Sequence, residues 1–251
     1  MLREERHGAT VVLTLDYPER RNALAMEMRE RFIAALERIE GDAGVRAIVV
    51  TGAGGTFCAG GDISSMNTTE FAAGRERFRT THRMVRLMIE GSKPIVAAVE
   101  GWAVGAGLGM ALCCDTVVCG DGAKFMTGFG KIGLIADFGL LHTLPRRVGE
   151  GRARQILLYG EQMDATAAER IGLVDHVVPA GTALNAALAW AAKFDAAAPL
   201  PLAMTKSFLA KGLAESLDWE RNTQSTLFLT ADHVAGREAF MAKRVPVFKG
   251  A

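Results

Sequence analysis

Apolar and polar positions follow two kinds of pattern along the first half of the chain. Short apolar runs occupy residues 8–16, 45–52 and 93–101. Between these runs, residues 26–39 and about 71–89 carry apolar side chains at helical spacing. Short apolar runs bounded by glycine or proline are typical of buried strands, and a spacing of three to four residues is typical of helices. The first half is therefore predicted to alternate strands with helices.

The pattern changes after Gly149, where predicted helices follow one another. They lie at 150–159, 165–171, 182–195, 200–212 and 216–243. Strands that alternate with helices, followed by helices alone, predict an α/β core with a helical C-terminal extension. We place the core at residues 1–195 and the C-terminal helical region at 196–251.

Size and charge narrow the class of protein. The chain has 251 residues, of which 49 % are hydrophobic, and this is enough for a sizeable core. The net charge of +1, without a basic stretch, argues against a dedicated nucleic-acid surface. No apolar run reaches a membrane-spanning length, and MLREERHGAT lacks the apolar segment of a secretory signal. We therefore expect a cytoplasmic protein that binds neither nucleic acid nor membrane.

The four cysteines do not suggest a metal or disulfide framework. They form no CxxC pair and have apolar neighbours, which predicts buried, reduced thiols and no metal site. They are Cys58, Cys113, Cys114 and Cys119.

Two glycine-rich loops follow predicted strands. They read TGAGGTFCAGGD at 51–62 and GWAVGAGLG at 101–109. Phe57 and Met110 occupy the third glycine positions of a dinucleotide fingerprint, and no GK[ST] follows, so nucleotide binding is not favoured. Two such loops can instead bring a pair of backbone N–H groups together to hold a negatively charged oxygen.

One carboxylate, Asp137, lies in the apolar segment KIGLIADFGLLHTLP at 131–145. A buried charge is costly unless it is paired or used, and an apolar pocket raises a carboxyl pKa into the range of a proton shuttle. One interpretation makes Asp137 the N-cap of a helix that begins near Phe138. The other makes it a general base. The residues alone favour the cap, and the two roles can coexist.

Six segments together carry a family resemblance. The chain resembles the crotonase superfamily of enoyl-CoA hydratases and isomerases over nearly its whole length and in the same order. The segments are RNAL at 21–24, FCAGGDIS at 57–64, KPIVAAVEGWAVGAGLGMALCCD at 93–115, IGLIADFGLLHTLPRRVG at 132–149, AERIGLVDHVV at 168–178 and GREAFMAKRVPVF at 236–248.

The resemblance implies a fold and a substrate class. It implies a spiral of ββα turns with a C-terminal helical trimerisation region, in a homotrimer or a hexamer made of two trimers. It also implies acyl-CoA thioester substrates, with coenzyme A as part of the substrate and no separate cofactor. The shared chemistry is stabilisation of a thioester enolate by two backbone N–H groups, which the matching motifs assign to Gly61 and Ala106.

The resemblance also assigns contacts to coenzyme A or substrate. Phe240 and Lys243 are expected to reach the ligand of a neighbouring subunit, and Asp62 is also expected to cap the following helix. The assigned residues are Arg21, Ala23, Ala59, Asp62, Ile63, Phe129, Phe240 and Lys243.

The carboxylates indicate which member of the family is expected. Hydratases that resemble this chain carry two glutamates, at the places of Gly109 and Phe129, and neither residue can transfer a proton. Asp137 matches the single acid/base of the family's isomerases, among them Δ3,Δ2-enoyl-CoA isomerases. The segment around Asp137 is most similar to the epoxyphenylacetyl-CoA isomerase of phenylacetate breakdown, although Ala136 stands where that group has proline.

Several alternatives stay open. A hydratase or acyl-CoA hydrolase could use another group to order water, and a family member without catalysis could simply bind CoA esters. The sequence does not choose the acyl group, fatty-acid or aromatic metabolism, or trimer against hexamer. His82 is assigned to the pocket or the surface, and His142 to the core. Glu100 is expected to hold the second loop, and Asp115 to cap backbone.

Overall fold

A six-stranded sheet forms the centre of the molecule. The computed structural model describes all residues from Met1 to Ala251. The order in the sheet is β1-β2-β3-β4-β6-β9, with β1 antiparallel to β2 and every other pair parallel. These strands are β1 Leu2–His7, β2 Thr10–Leu15, β3 Ala47–Gly52, β4 Ile95–Val99, β6 Thr116–Gly120 and β9 His176–Val178.

The central strands are apolar on both faces because helices cover both sides. Ile48 and Val50 of β3 belong to a large core that also contains side chains of the helices α1 Met26–Glu40 and α2 Phe71–Glu90. Val49, which points the other way, packs in a smaller core with alanines of α7 Ala183–Ala191. Parallel strands covered on both faces read as continuous apolar runs, which is why the sequence predicted them.

The edge strand β1 was not predicted. Its sequence, LREERH, is mostly charged and exposed, so it lacks the apolar run of a buried strand. Charged side chains are common on exposed edges because they discourage pairing with another chain. Arg3 binds Asp16 at 2.9 Å, and Gly8 with φ +62° allows the tight turn into β2.

Two successive strand–strand–helix units confirm the predicted spiral. In one unit β4 is followed by β5 Trp102–Val104 and α3 Ala106–Leu112, and in the next β6 is followed by β7 Lys124–Met126 and α4 Leu140–Val148. The first strand of each unit joins the large sheet. The second joins a small sheet of order β5-β7-β8, whose third strand is β8 Met163–Asp164.

The remaining helices lie in the second half of the chain. They are α5 Glu150–Tyr159, α6 Ala165–Arg170, α8 Pro199–Leu209, α9 Leu213–Leu227 and α10 Ala231–Met241. The single helix predicted over 216–243 is wrong, because α9 ends at Leu227 and α10 begins at Ala231, after its N-cap Thr230. Its hydroxyl oxygen accepts the His233 N–H at 3.2 Å as the N-cap of α10. None of the ten helices combines the length and hydropathy that a membrane crossing requires.

Candidate active site

The two glycine-rich loops bind each other beside the large sheet. The Cys58 N–H donates to the Trp102 carbonyl oxygen at 2.9 Å, and the Val104 N–H donates to the Cys58 carbonyl oxygen at 3.0 Å. Gly107 permits the close approach, because a Cβ at that position would lie 2.3 Å from the Cys58 carbonyl oxygen. The loops are thus held together by backbone contacts.

Gly61 and Ala106, one on each loop, line the same cavity. The Gly61 N–H donates to no acceptor in the protein. Ala106 is the first residue of α3, so its N–H has no partner within the helix. A Cβ on Gly60 would lie 3.7 Å from the Ala106 nitrogen, which shows how close the loops come. Two free N–H groups in one cavity are suited to bind an oxygen that gains negative charge.

The cavity has a volume of about 130 Å³ and is mostly apolar. Its apolar wall includes Ile63, Met66, Val104, Phe129, Ile132 and Leu134. Only three charged side chains line it, those of Arg29, Lys131 and Asp137. Asp137 is therefore the single carboxylate in contact with this space.

Asp137 is buried, and only one of its two carboxylate oxygens is hydrogen-bonded. Its Oδ2 accepts a hydrogen bond from Gln224 Nε2 at 3.2 Å, whereas Oδ1 has no partner in the protein. Burial raises the pKa of Asp137 to about 6, against the opposing influence of Arg29, of the hydrogen bond from Gln224 and of Arg77. A carboxylate with one free oxygen and such a pKa is suited to take and return a proton near neutral pH.

The alternative that Asp137 is a helix N-cap is wrong. The helix begins at Leu140, two residues later than expected, and its N-cap is Gly139 without a side-chain hydrogen bond. Phe138 and Gly139 both have left-handed backbones, with φ of +59° and +70°. The turn these two residues make separates Asp137 from the helix, so its side chain is free of a capping role.

Two residues of α9, not singled out in the sequence, hold the backbone around Asp137. Glu220 is fully buried and accepts the N–H groups of Phe138 and Gly139 at 3.0 and 3.1 Å. One helical turn later, Gln224 accepts the Ile135 N–H at 3.1 Å and donates to the Ile135 carbonyl oxygen at 2.9 Å. We call Glu220 and Gln224 the α9 clamp.

The α9 clamp is backed by a buried histidine. His82 was assigned to the pocket or the surface; instead it is buried and its Nε2 lies 2.8 Å from Glu220 Oε1. Burial raises the pKa of Glu220 to about 8, although the N–H groups of Gly139 and Phe138 lower it, and burial lowers the pKa of His82 to about 4. Burial thus favours the neutral form of each, with one hydrogen shared at their contact.

Comparison with known proteins identifies the family. Residues 5–251 match the family described as enoyl-CoA hydratase/isomerase. The chain belongs to this family. It is 35 % identical to 1,2-epoxyphenylacetyl-CoA isomerase of Escherichia coli K12, over 96 % of this chain and 95 % of that protein. It is 34 % identical to 2,3-dehydroadipyl-CoA hydratase of the same organism, over 98 % and 97 %.

The solved structures agree with the fold. An enoyl-CoA hydratase from Mycobacterium avium subsp. paratuberculosis K-10 superposes with a TM-score of 0.89 at 30 % identity, covering 99 % of this chain and 98 % of that one. The crotonase fold predicted from the motifs is therefore confirmed. Hydratase names are the more common among the relatives, so membership alone does not decide between hydratase and isomerase.

The structure shows what surrounds Gly109 and Phe129, the two places at which hydratase glutamates were expected. A Cβ on Gly109 would lie 2.9 Å from the Phe138 Cβ and 3.3 Å from the Asp137 carbonyl oxygen, so the loop that carries Asp137 fills that space. Phe129 lies in the cavity wall and contributes an apolar ring. Neither place offers a second carboxylate.

The residues assigned to coenzyme A and substrate divide into two groups. Ala59, Ile63, Phe129 and Phe240 line the cavity. The others do not line it, and they are Arg21, Ala23, Asp62 and Lys243. Their roles stay predictions.

Two of those assignments are clarified by their contacts. Phe240, expected to reach a neighbouring subunit's ligand, lines the cavity of its own chain. Asp62 Oδ1 accepts the Ser64 N–H at 3.1 Å, so the predicted cap is confirmed, on a short 3-10 helix.

The remaining polar candidates have structural partners. His142 is buried in the core, as predicted. Glu100 Oε1 accepts the N–H groups of Gly181 and Ala183 at 2.9 and 3.1 Å, so it anchors the start of α7 rather than the second glycine loop. Asp115 Oδ2 accepts the Ile95 N–H at 2.7 Å, which stabilises the start of β4.

The cysteine thiols form no disulfide. All four cysteines are free and buried, as predicted. Burial raises the pKa of the Cys58 thiol, which lies in the first glycine-rich loop, to about 12, so it stays protonated near neutral pH. No group of three or more histidine, cysteine or acidic side chains is placed to hold a metal ion.

Proposed function

We propose that this protein is an acyl-CoA isomerase that moves a double bond through a thioester enolate, with Asp137 as the single acid/base. One observation carries the proposal. The cavity that holds the free N–H groups of Gly61 and Ala106 is lined by one carboxylate, and one carboxylate suffices for an isomerisation but not for the ordinary addition of water.

The reaction proceeds in two proton transfers. The thioester oxygen accepts the N–H groups of Gly61 and Ala106, and the Asp137 carboxylate removes a proton from C2 of a 3-enoyl thioester. The electron pair of that C–H bond moves onto the thioester, giving a dienolate. Asp137, now a carboxylic acid, returns the proton to C4, and the double bond lies between C2 and C3. The mass is unchanged.

The electrostatics of Asp137 support the base role. A pKa of about 6 leaves the carboxylate ionised at neutral pH while making it more basic than an ordinary aspartate. The free Oδ1 is available to the substrate, and Gln224 fixes Oδ2. The apolar wall excludes water, so the transferred proton is retained between the two steps.

The same groups, Asp137 and the two N–H donors, could also rearrange an epoxide on the acyl group. The relative from Escherichia coli is named 1,2-epoxyphenylacetyl-CoA isomerase, and its acyl group is also a thioester whose C2 can form an enolate. We include a ring epoxide beside 3-enoyl chains as a candidate acyl group.

Hydration is the second candidate. Hydratase names are more common among the relatives, and one relative is a 2,3-dehydroadipyl-CoA hydratase. In that case another group would order a water molecule. Asp137 would take the proton of this water as it attacks C3 of a 2-enoyl thioester, and would then supply that proton at C2.

Product analysis separates the candidates. The purified protein is incubated with 3-enoyl-CoA and, separately, with 2-enoyl-CoA, and products are identified by mass and ultraviolet absorbance. We expect the conjugated 2-enoyl thioester at unchanged mass from the first substrate. A gain of one water from the second, without isomerisation of the first, would establish a hydratase. Binding of both substrates without turnover, with no turnover of an epoxide-bearing thioester either, would indicate a CoA-ester-binding protein.

A further inference from the structure

An arginine of α1 brings a buried positive charge to the cavity wall. Arg29 is 3 % exposed. Its Nε donates to the Leu24 carbonyl oxygen at 3.0 Å, and its Nη1 donates to Thr81 Oγ1. Its Nη2 has no partner in the protein, and the side chain lines the cavity. The Nη2 group of Arg29 is therefore free to bind a ligand in the cavity.

The free nitrogen lies beside the predicted oxyanion hole. Arg29 Nη2 is 3.7 Å from the point that a Cβ on Gly61 would occupy. Met66 Cε is the other neighbour of that point, at 2.5 Å, so a side chain at 61 would displace the Met66 methyl group. The Arg29 guanidinium thus lies next to the residue whose N–H faces the cavity.

No anion of the protein neutralises this charge by contact. Arg29 forms no ion pair within 4.0 Å, and the carboxylates of Asp137 and Asp62 act on it only from a distance. A second cation, Arg77, acts in the opposite sense. Burial lowers the pKa of Arg29 to about 10, so the side chain still carries its charge near neutral pH. A buried cation without a contacting anion is costly, and the cost is relieved when a ligand supplies negative charge.

We propose that Arg29 stabilises the enolate oxygen by its positive charge, as a third group beside the N–H groups of Gly61 and Ala106. The inference rests on the proposed enolate chemistry. Two backbone dipoles hold the thioester oxygen in both the ground state and the enolate, but a full charge gains most when the oxygen becomes an anion. Arg29 therefore contributes to catalysis more than to binding.

A carboxylate on the acyl group is the other anion that could meet Arg29. The position of Nη2 beside Gly61 favours the enolate, because the thioester group is the part of the substrate bound at that residue. The two candidate anions predict different effects of Arg29 on different substrates. A charge that acts on the enolate affects every acyl group, whereas one that binds an acyl carboxylate affects only acyl groups that carry it.

The test compares two inert CoA thioethers of nearly the same shape. Carboxymethyl-CoA carries a planar carboxylate one carbon beyond the position of the thioester carbon, and carbamoylmethyl-CoA carries a neutral amide at the same place. Calorimetry measures the affinity of each for the wild type, Arg29→Met and Arg29→Lys. We expect the wild type to prefer the carboxylate by about tenfold or more. The Met variant should lose that preference with the amide affinity unchanged, and the Lys variant should keep part of it.

Arg77→Met is the matched control. Arg77 also acts on Asp137 by its charge but does not line the cavity. Its removal should leave most of the carboxylate preference intact. A preference that survives in Arg29→Met, or is lost equally in Arg77→Met, would overturn the proposal. The unchanged amide affinity shows that each variant is folded.

Turnover distinguishes this inference from the proposed function. With a neutral 3-enoyl-CoA, Arg29→Met should lower kcat by about tenfold to a hundredfold while KM changes little. An effect confined to substrates with an acyl carboxylate would overturn the enolate role. If the wild type forms no 2-enoyl product, the isomerase proposal fails, and the thioether measurement still decides whether Arg29 recognises an anion in the oxyanion hole.

Discussion

At the scale of the single residue, the proposed role of Asp137 as the acid/base makes the expected activity depend on pH. Removal of a proton requires the carboxylate, so activity is lost as pH falls through the pKa of about 6. We predict that kcat/KM for 3-enoyl-CoA rises about tenfold per pH unit below that value and is level above it. A pH–rate profile of the free enzyme tests this. A midpoint at the ordinary aspartate pKa would contradict the burial argument.

The same pKa shift predicts the stability of Asp137→Asn. Because the folded-state pKa lies above the unfolded value of 3.8, ionisation of Asp137 destabilises the fold once the pH exceeds both values. Asparagine avoids that penalty. We predict that the variant gains stability relative to the wild type as pH rises from about 4 to 7, by at most roughly 3 kcal/mol. Denaturant unfolding at both pH values measures the difference.

Two outcomes would count against this account. If the side chain capped a helix instead, asparagine would cap about as well as aspartate, and the variant and the wild type would be nearly equally stable. A difference that does not vary with pH would show that the carboxyl group is not desolvated. Asp218→Asn, at an exposed site on α9, is the control and should show no such trend.

At the scale of the element, α9 determines where Asp137 sits. We predict that Glu220→Gln lowers kcat by about tenfold or more. One of the two oxygens that accept the N–H groups of Phe138 and Gly139 becomes an NH₂ group, which faces a backbone N–H donor and cannot accept its hydrogen bond. KM should change less, since Glu220 does not line the cavity. The variant should also lose about 1–3 kcal/mol of stability. Steady-state kinetics and chemical unfolding measure both.

Glu215→Gln is the matched control on the same helix. Glu215 is exposed and forms no side-chain hydrogen bond, so this variant should behave as the wild type. If Glu220→Gln loses stability but keeps the wild-type kcat and pH profile, the α9 clamp serves the fold and does not position Asp137.

The sequence contains a pattern that indicates the α9 clamp. Leu213 and Leu217 lie on the buried face of α9, and Glu220 and Gln224 continue that face at spacings of three and four residues. Arg29 lies in the same way on the buried face of α1, beside Phe32. Polar side chains on an apolar helix face require partners. Their partners could not be inferred, because Glu220 binds residues 82 and 81 positions away.

The features that could be predicted from the sequence were those that depend on residues close together in the chain. Apolar runs located the buried strands, and the glycine loops with the Asp137 segment carried the family motifs. The structure brings Gly61, Ala106 and Asp137 together as those motifs implied. The edge strand β1 was missed because its charged residues carry no strand pattern. The left-handed turn at Phe138 was missed because only tertiary contacts impose it on a phenylalanine.

At the scale of the whole molecule, the C-terminal helical region and the core share the site. Glu220 and Gln224 on α9 and Phe240 on α10 lie beyond residue 195, yet they contact the loop of Asp137 or line its cavity. Any change that loosens the packing of α9 or α10 should therefore affect the loop that carries Asp137.

Helix α8 has an exposed apolar face that is a candidate subunit interface. Leu200, Met204 and Phe208 recur at intervals of four residues and are 70 %, 71 % and 63 % exposed. Large exposed apolar patches are typical of interfaces. In line with the family resemblance, we predict a homotrimer or hexamer that uses this face, and a smaller species for the double variant Met204→Glu, Phe208→Glu. Analytical ultracentrifugation measures both.

Gln162→Glu controls for added negative charge at an exposed site, and it should leave the assembly unchanged. A wild type that sediments as a monomer would contradict the predicted assembly. An unchanged oligomer in the double variant would place the interface elsewhere.

The most direct test of the central claim is the rate at which wild type and Asp137→Asn convert 3-enoyl-CoA into the conjugated 2-enoyl thioester. Binding of carbamoylmethyl-CoA by the variant shows that its cavity is intact. We predict conversion by the wild type and none measurable above background by the variant, because an amide cannot accept the C2 proton. Conversion by Asp137→Asn at the wild-type rate would contradict the assignment of Asp137 as the acid/base.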